Sequence, residues 1–565
     1  MKYVPYFVLA VAMMLAVGCN RDEITVVDDA TGGGGVNIDD VDDIDTNYDR
    51  TVAIVFSTSG NATVSGVGDS LDVTLSGNDV TIRNLGTEKV LYRLSGSTTD
   101  GFLKIYSGRK QTIALNSVSL KNSRGAAINV QGYETTPNKG KRLDLVLNGS
   151  STLADGSNYS LTPATEDEKG VVFSEGQIVV SGSGTLTVTA TGKAGISSDD
   201  YVAFLQGCSV NVTSSAGHGI RGKDYVLVSG GMLDISVSAD GKKGISSDSL
   251  VRFDGGQTTI AVTGSTVVES GDTSGTAGIK ADQLFEMNNG TLTVTNSGKG
   301  GKGISCDGPA YFRGGEIKIT VTGQNFGSSS GGGWPGPGGG GWGGNDNSVG
   351  AKGIKCDGNI EISGGVITVV ASNHEGIETK GTLTVTGGRI YAQSSDDAIN
   401  SSSTMTITGG YICAYSTGND GLDANGNCYI SGGVVYAIGK SSPEVAIDAN
   451  TEGGYKLYIQ EGATVIALGD IERGSQLSQT CYQASSWSKN VWYSMTVGDQ
   501  VYAFKTPASG GTKMVVTGPQ QPSLKKGVTV SGGTEILNGM FNLQPEVSGG
   551  DNVNLSNYSS GGGWW

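Results

Sequence analysis

A short unit returns along this chain at a nearly constant interval, and that return restricts the fold more than any other feature of the sequence. It has the form Lys-Gly-Ile-Ser/Lys-x-Asp, then an apolar strand, then Gly-Gly, then a second alternating strand. Its Ile or equivalent stands at Val171, Ile196, Ile220, Ile245, Ile279, Ile304, Ile354, Ile377, Ile399, Leu422 and Ile447. Eight of the ten gaps are 22 to 25 residues long, and the other two are 34 and 50. A period of that length is one coil of a β-solenoid; leucine-rich repeats share it but need a Leu-x-x-Leu-x-Leu frame with Asn, which is absent. The two long gaps place loops inside single coils, near residues 264–276 and 324–349.

The pairs Gly230-Gly231, Gly255-Gly256, Gly314-Gly315, Gly364-Gly365, Gly387-Gly388, Gly409-Gly410 and Gly432-Gly433 fall at constant phase. They suit tight corners, where positive φ is needed. After each pair the pattern alternates, so Ile390 and Ala392 point inward while Arg389 and Tyr391 point outward. Ile367, Ile390, Ile412 and Val435 should then stack as one interior ladder. Ninety-three glycines and the absence of any sustained 3.6-residue period exclude a helical protein. The expected fold is all-β, a right-handed single-stranded parallel β-helix over residues 51–454 whose opening coils run from Val52 to about Leu120. Beyond Gly454 the phase dissolves, and residues 455–565 are assigned to a C-terminal β cap or subdomain with a Gly/Trp tail. The six cysteines after Cys19 show no CxxC spacing and are expected as free thiols in the stack.

The N-terminus joins Lys2, an apolar run from Val4 to Val17 and Gly18-Cys19, the pattern of a lipoprotein signal peptide over residues 1–18. Cys19 is then the acylated N-terminus, residues 19–50 form an acidic, Gly-rich tether, and the protein sits at the outer membrane facing out. The membrane is engaged only through that anchor. Between Asn20 and Asp49 ten acids face Arg21 alone, so the tether carries most of the net charge of −16. No basic stripe offers itself to nucleic acid.

In a solenoid, residues one period apart lie about 4.8 Å apart, so chemistry is read down columns. Two positions before the repeat Ile stand Lys169, His218, Lys243, Lys302 and Lys352, then Glu375, Asp397 and Asp420; one position after it stand Lys280 and Lys355, then Glu378, Asn400, Asp423 and Asp448. In the early coils Lys and Asp are expected to neutralise one another across the turn. In the late coils Glu375, Glu378, Asp396, Asp397, Asp420, Asp423 and Asp448 crowd together, and like charges at such spacing repel by roughly 1 kcal/mol or more. Calcium, which accepts six to eight oxygens in irregular geometry, relieves that repulsion, with Asn400 as a further oxygen ligand. The same coils present Arg389, Tyr391, Tyr411, Tyr415 and Tyr436 outward, a set able to stack on a pyranose and bond its edge; Trp334 and Trp342 in the Gly-rich insertion form a competing aromatic site.

The series Ala194-Gly195-Ile196-Ser197-Ser198-Asp199, Lys302-Gly303-Ile304-Ser305-Cys306-Asp307, Asp397-Ala398-Ile399-Asn400 and Asp420-Gly421-Leu422-Asp423-Ala424-Asn425, with the Gly/Pro/Trp-rich stretch Gly331 to Gly344, resembles the bacterial carbohydrate-binding domain family with a polysaccharide-lyase-like β-helix. The resemblance runs over roughly residues 85–535. It implies binding of plant-type polysaccharide, acidic sugars included, with calcium in the β-helix. The expected function is therefore a non-catalytic polysaccharide-binding surface lipoprotein. A calcium-dependent lyase is the first alternative, with Lys380, Arg389 or Lys355 as the base, and a surface adhesin or structural solenoid is the second. Replacing Cys19 by Ala is expected to move the protein from the membrane to the soluble fraction on cell fractionation.

Overall fold

The computed structural model describes residues 26–28, 34–36, 41, 44–84, 86–132, 142–160, 162–327, 348–440 and 442–561. Cys19, Trp334 and Trp342 lie outside them. The chain divides into two units, Met1–Asp43 and Ile44–Trp565. Within the first, expected as an unstructured tether, Val26–Asp28 pairs antiparallel with Gly34–Val36. The tether also ends earlier than residue 50. Asp45 accepts from Lys89 Nζ at 2.9 Å, and Arg50–Phe56 is already a strand paired parallel with Val90–Thr98.

The second unit is all strand and turn, wound into stacked coils of three strands each. One coil consists of Ile354–Cys356, Ile360–Ile362 and Val366–Ala371; the next of Ile377–Thr379, Leu383–Val385 and Arg389–Ser394. Equivalent strands pair in parallel from coil to coil, so three faces run along the stack. The face containing the repeat Ile is a sheet of fourteen strands. Its inward column runs Val80, Leu103, Ile128, Val172, Ile196, Ile220, Ile245, Ile279, Ile304, Ile354, Ile377, Ile399 and Leu422, then continues by single bridges to Ile447 and Ile471. Val172, not Val171, holds the register with Ile196, so Lys169 drops out of the basic column and Gly170 takes its place. The expected ladder Ile367, Ile390, Ile412 and Val435 is present on the third face and fully buried.

The glycine before the repeat Ile has a packing cause. A Cβ on Gly219, Gly244, Gly303 or Gly353 would lie 2.2–2.4 Å from a methyl of Ile235, Ile260, Ile319 or Val369 on the opposite inner wall. Where that wall residue shrinks to alanine, at Ala392, Ala414 and Ala437, the column also admits Ala398 and Ala446.

The coil insertion near 264–276 forms the hairpin Val267–Glu269 with Asp272–Ser274. The parallel register passes the expected boundary at Gly454: Leu457–Ile459 and Thr464–Leu468 pair with Cys428–Ile430 and Val434–Ile438. Thr512–Thr517 then closes antiparallel on Thr464–Leu468. A six-stranded antiparallel sheet follows, in the order Thr534–Ile536, Phe541–Leu543, Gln500–Lys505, Trp492–Val497, Ser523–Ser531 and Glu546–Asn552.

That sheet lies against the outside of the third face. One apolar cluster joins Tyr391, Cys413, Tyr436 and Ile466 of the coils to Tyr493, Met495, Phe504 and Phe541 of the sheet. Tyr391 is 3 % exposed and Tyr436 is 0 % exposed. The Tyr436 ring lies 5.3 Å from that of Phe504, and its hydroxyl donates to the Lys505 carbonyl at 2.8 Å. Both tyrosines point out of the coil, as expected, but into protein rather than solvent. Tyr436→Ala is expected to cost about 3–5 kcal/mol, as for other buried aromatics cut to alanine. Hydrogen exchange should show the loss concentrated in residues 492–543, where protection falls first.

Candidate functional site

On the Ile face one outward side chain follows each inward Ile. In register this column runs Arg221, Ser246, Lys280, Ser305, Lys355, Glu378, Asn400 and Asp423, and Asp448 and Glu472 follow the bridged Ile447 and Ile471. A flanking column, two positions before the Ile, carries Lys243, Lys302, Lys352, Glu375, Asp397 and Asp420. The face therefore has a basic half and an acidic half, with one junction between them.

In the basic half the central column is paired as expected. Arg221 meets Asp248 at 2.8 Å, Lys280 contacts Asp307 and lies 3.2 Å from Asp282, and Lys355 meets Asp357 at 2.5 Å. The flanking column differs. Among the described residues neither Lys243 nor Lys302 has a carboxylate partner within ion-pair distance, and Lys243 donates instead to the Gly241 carbonyl at 3.0 Å. Burial, reinforced by Lys242 and Lys280 at one site and by Lys355 and Lys352 at the other, pushes both ammonium groups down to about 8. His218 does not belong to a basic strip. Burial holds it neutral, down to about 3, and its Nδ1 accepts from the Lys243 amide at 3.1 Å.

At the junction Glu375 and Glu378 are not the unpaired acids expected. Lys352 Nζ lies 2.5 Å from Glu378 and 3.2 Å from Glu375, and Lys380 contacts Glu378 as well. The spacing rule saw only neighbours along the chain; Lys352 arrives from the preceding coil, and Lys380 from just beyond the strand. Glu375 also touches His374, whose Nδ1 is 3.3 Å from Asp396. His374, Glu375 and Asp396 have ligand atoms within 4.8 Å of one another, but the Lys352 ammonium already occupies the charge of that trio.

The acidic half proper begins at Asp397. Asp397, Asp420, Asp423 and Asp448 have no lysine or arginine partner among the described residues. Asp397 accepts the Asp420 amide at 3.1 Å, and Asp420 accepts the Val445 amide at 2.6 Å, so each carboxylate clips the next coil in place. Asn400 donates to Asp423 at 2.5 Å and to Asp397 at 3.2 Å, bridging the two carboxylates. Burial raises Asp423 above the ordinary carboxylate range, with Asp396 adding to the rise and the Asn400 amide opposing it. Burial, then neighbouring carboxylates, pushes Asp397 up to about 8. Burial and nearby acids raise Asp420 to about 7, and burial with the Glu472 contact raises Asp448 to about 9. The donor set is all oxygen, crowded and short of counter-charge, which fits a hard divalent cation. Glu472 belongs to it and was missed because it follows the expected end of the repeat.

The other expected sugar contacts divide. Arg389 is exposed, Tyr411 and Tyr415 are half-buried against the C-terminal sheet, and Tyr391 and Tyr436 are covered by it, so the last two offer no face to a sugar. Sequence reading also passed over a half-exposed pair on the second face, Tyr429 and Tyr458, whose rings stack 4.7 Å apart.

The model of a carbohydrate-binding domain-containing protein family matches residues 76–398, more than half of the chain. The chain belongs to that family. The match takes in the basic half and the junction and ends before Asp420, earlier than residue 535 as the motifs alone had suggested. A solved polysaccharide lyase-like protein from C. thermocellum is 22 % identical, over 46 % of this chain and 96 % of that one, with a TM-score of 0.38. No curated protein matches the chain.

This member of the family carries a pH signature in its acidic half. A carboxyl whose folded pKa is raised stabilises the fold fully below the ordinary carboxylate range, and that stability is lost as pH rises through the raised value. In chelator the melting temperature is expected to fall as pH goes from about 4 to about 9, the window set by Asp397, Asp420 and Asp448. Added calcium should raise the melting temperature most at the alkaline end and flatten the slope. A melt that ignores both pH and chelator would remove the cation from the site.

Proposed function

We propose that this protein is a cell-surface lipoprotein whose right-handed β-helix binds polysaccharide, uronate-containing chains included, along the polar outer face of the Ile sheet, without cleaving it. The family supports a carbohydrate ligand, and the observation that carries the location is the juxtaposition on one rigid face of unpaired Lys243 and Lys302 with the unpaired ladder Asp397, Asp420, Asp423 and Asp448. Asp397, Asp420, Asp423, Asp448 and Glu472, with the Asn400 amide, would hold calcium. When bound there, calcium supplies a second attachment point for sugar carboxylates. The lysines are already stripped of part of their water, so an anion that reaches them forms a strong contact at low desolvation cost. Rigid strands spare weak sugar contacts the entropy of ordering a loop.

The lyase reading is favoured by one observation, the lowering of Lys302 to about 8, which suits a general base. Distance weighs against it. Lys302 stands three coil steps from Asp397, roughly 14 Å at strand spacing, too far for one sugar unit to meet both the base and a cation on the ladder. Of the bases suggested by sequence, Lys355 and Lys380 are held by Asp357 and Glu378, and Arg389 lies on another face. A glycan array run with calcium and with chelator, beside an unsaturated-product assay on polygalacturonate, tests the reading. Calcium-dependent retention of acidic glycans without new product is expected; product formation would make the protein a lyase, and no retention at all would remove the binder.

A further inference from the structure

The third face of the solenoid is open and polar over most of its length, with Thr, Ser, Asn, Lys and Glu pointing out from Thr185–Ala190 to Glu316–Val321. It ends abruptly where the C-terminal sheet settles on it. At that step lies a crevice of about 250 Å³, with Val366, Thr368, Arg389 and Tyr391 on the coil side and the turn Glu535–Gly539 on the other. Here an open coil face runs up against a wall.

Three features of the crevice go beyond packing. Arg389 is exposed, and its guanidinium has no hydrogen-bond or ion-pair partner among the described residues, so the planar donor fork is free at the rim. The facing turn is the closed end of the hairpin Thr534–Ile536 with Phe541–Leu543, in which Leu537 and Asn538 both have φ of 55°, next to Gly539 at 77°. Here Met540 N donates to the Leu537 carbonyl at 3.1 Å, and Leu537 is buried in the same apolar cluster as Tyr391, which fixes the turn against the coil. Finally, the polar groups are placed around apolar surface, with Val366 39 % exposed, Ile536 and Leu537 behind it, and exposed Glu535 and Asn538 at the edge. Apolar floor, polar rim and a volume near that of one sugar ring are the attributes of a monosaccharide subsite.

We infer that this crevice is a second glycan subsite, distinct from the Ile face, that takes one anionic pyranose unit with its carboxylate on Arg389 and its hydroxyls on Glu535 and Asn538. The unpaired cation selects the anion, since a neutral sugar would leave the guanidinium without a matching charge. The wall makes it a stop, so the unit it holds is at or near a chain end, with the remainder of the glycan lying back over the polar strands. The inference rests on carbohydrate binding by the chain and adds the site and the charge of the sugar.

The test is calorimetric titration of the full chain with trigalacturonate and with its methyl ester, in calcium-containing buffer. Wild type should prefer the free acid. Arg389→Ala should remove one of two binding events for the acid, weakening that site by about tenfold or more while the Ile-face event and its preference for the acid remain, and should leave the melting temperature unchanged because the guanidinium is exposed and unpaired. Arg389→Lys, which keeps the charge but not the fork, should recover part of the loss. If Arg389→Ala binds both ligands as wild type does, while Asp423→Asn with Asp448→Asn loses the acid, the crevice is no subsite and binding on the Ile face stands. If wild type binds neither ligand, both readings fall together.

Discussion

Stacking at strand spacing is the constraint on which the rest of this molecule depends. Each coil is hydrogen-bonded to its neighbours through all three strands, so a residue type repeated at the coil period becomes a continuous column. Inside, that builds an unbroken wall of Ile, Leu and Val, and the narrowness of the coil forces glycine wherever a methyl of the opposite wall would otherwise meet a Cβ. Outside, the same geometry brings like charges together whether or not they attract. Where successive coils offer a counter-ion one step away, as Arg221 and Asp248 do, the column is quiet. Where they offer acids with the Asn400 amide alone between them, from Asp397 to Glu472, burial and mutual repulsion hold the carboxyls above their ordinary range.

The three faces have diverged accordingly. The Ile face changes sign along its length, and the junction at Lys352, Glu375, Glu378 and Lys380 is a compact ion cluster that insulates the lysines from the acids. The third face changes from polar to aromatic at the same level of the stack, and there it is covered by the C-terminal sheet through Tyr391, Tyr436 and Phe504. The lobe thus converts an open sheet into a face with an end, and the crevice beside Arg389 is the product of that step.

Much of this was legible in the sequence. The period, the two insertions, the interior ladder Ile367 to Val435 and the grouping of Asp397, Asp420, Asp423 and Asp448 all follow from local spacing, because in a solenoid sequence distance converts directly into height. The misreadings arose where that conversion breaks. Val171 and Val172 are both apolar and buried, so composition cannot say which faces the ladder; only pairing with Ile196 does. Lys352 reaches Glu378 from the coil before, a contact that column reading could have supplied had pairs been sought across columns as well as along them. Alternation puts the tyrosines on the correct side of their strands, but what covers them is a sheet running from Trp492 to Asn552, with no period to announce it. The signal available was chemical: four successive coils exchange Thr and Lys for Tyr, Val and Ile at outward positions, which is the mark of a buried face.

Column stacking leaves Asp397, Asp420, Asp423 and Asp448 short of positive charge, a deficit that we propose calcium makes up. The most direct measurement is titration of the metal-free protein with calcium at pH 7 in buffers of different ionisation enthalpy. The account predicts binding that releases protons, since Asp397 and Asp448, pushed up to about 8 and about 9, enter the titration protonated. It also predicts loss of both the binding and the proton release in Asp423→Asn with Asp448→Asn. Calcium that fails to bind, or that binds without releasing protons and is indifferent to those substitutions, would contradict it.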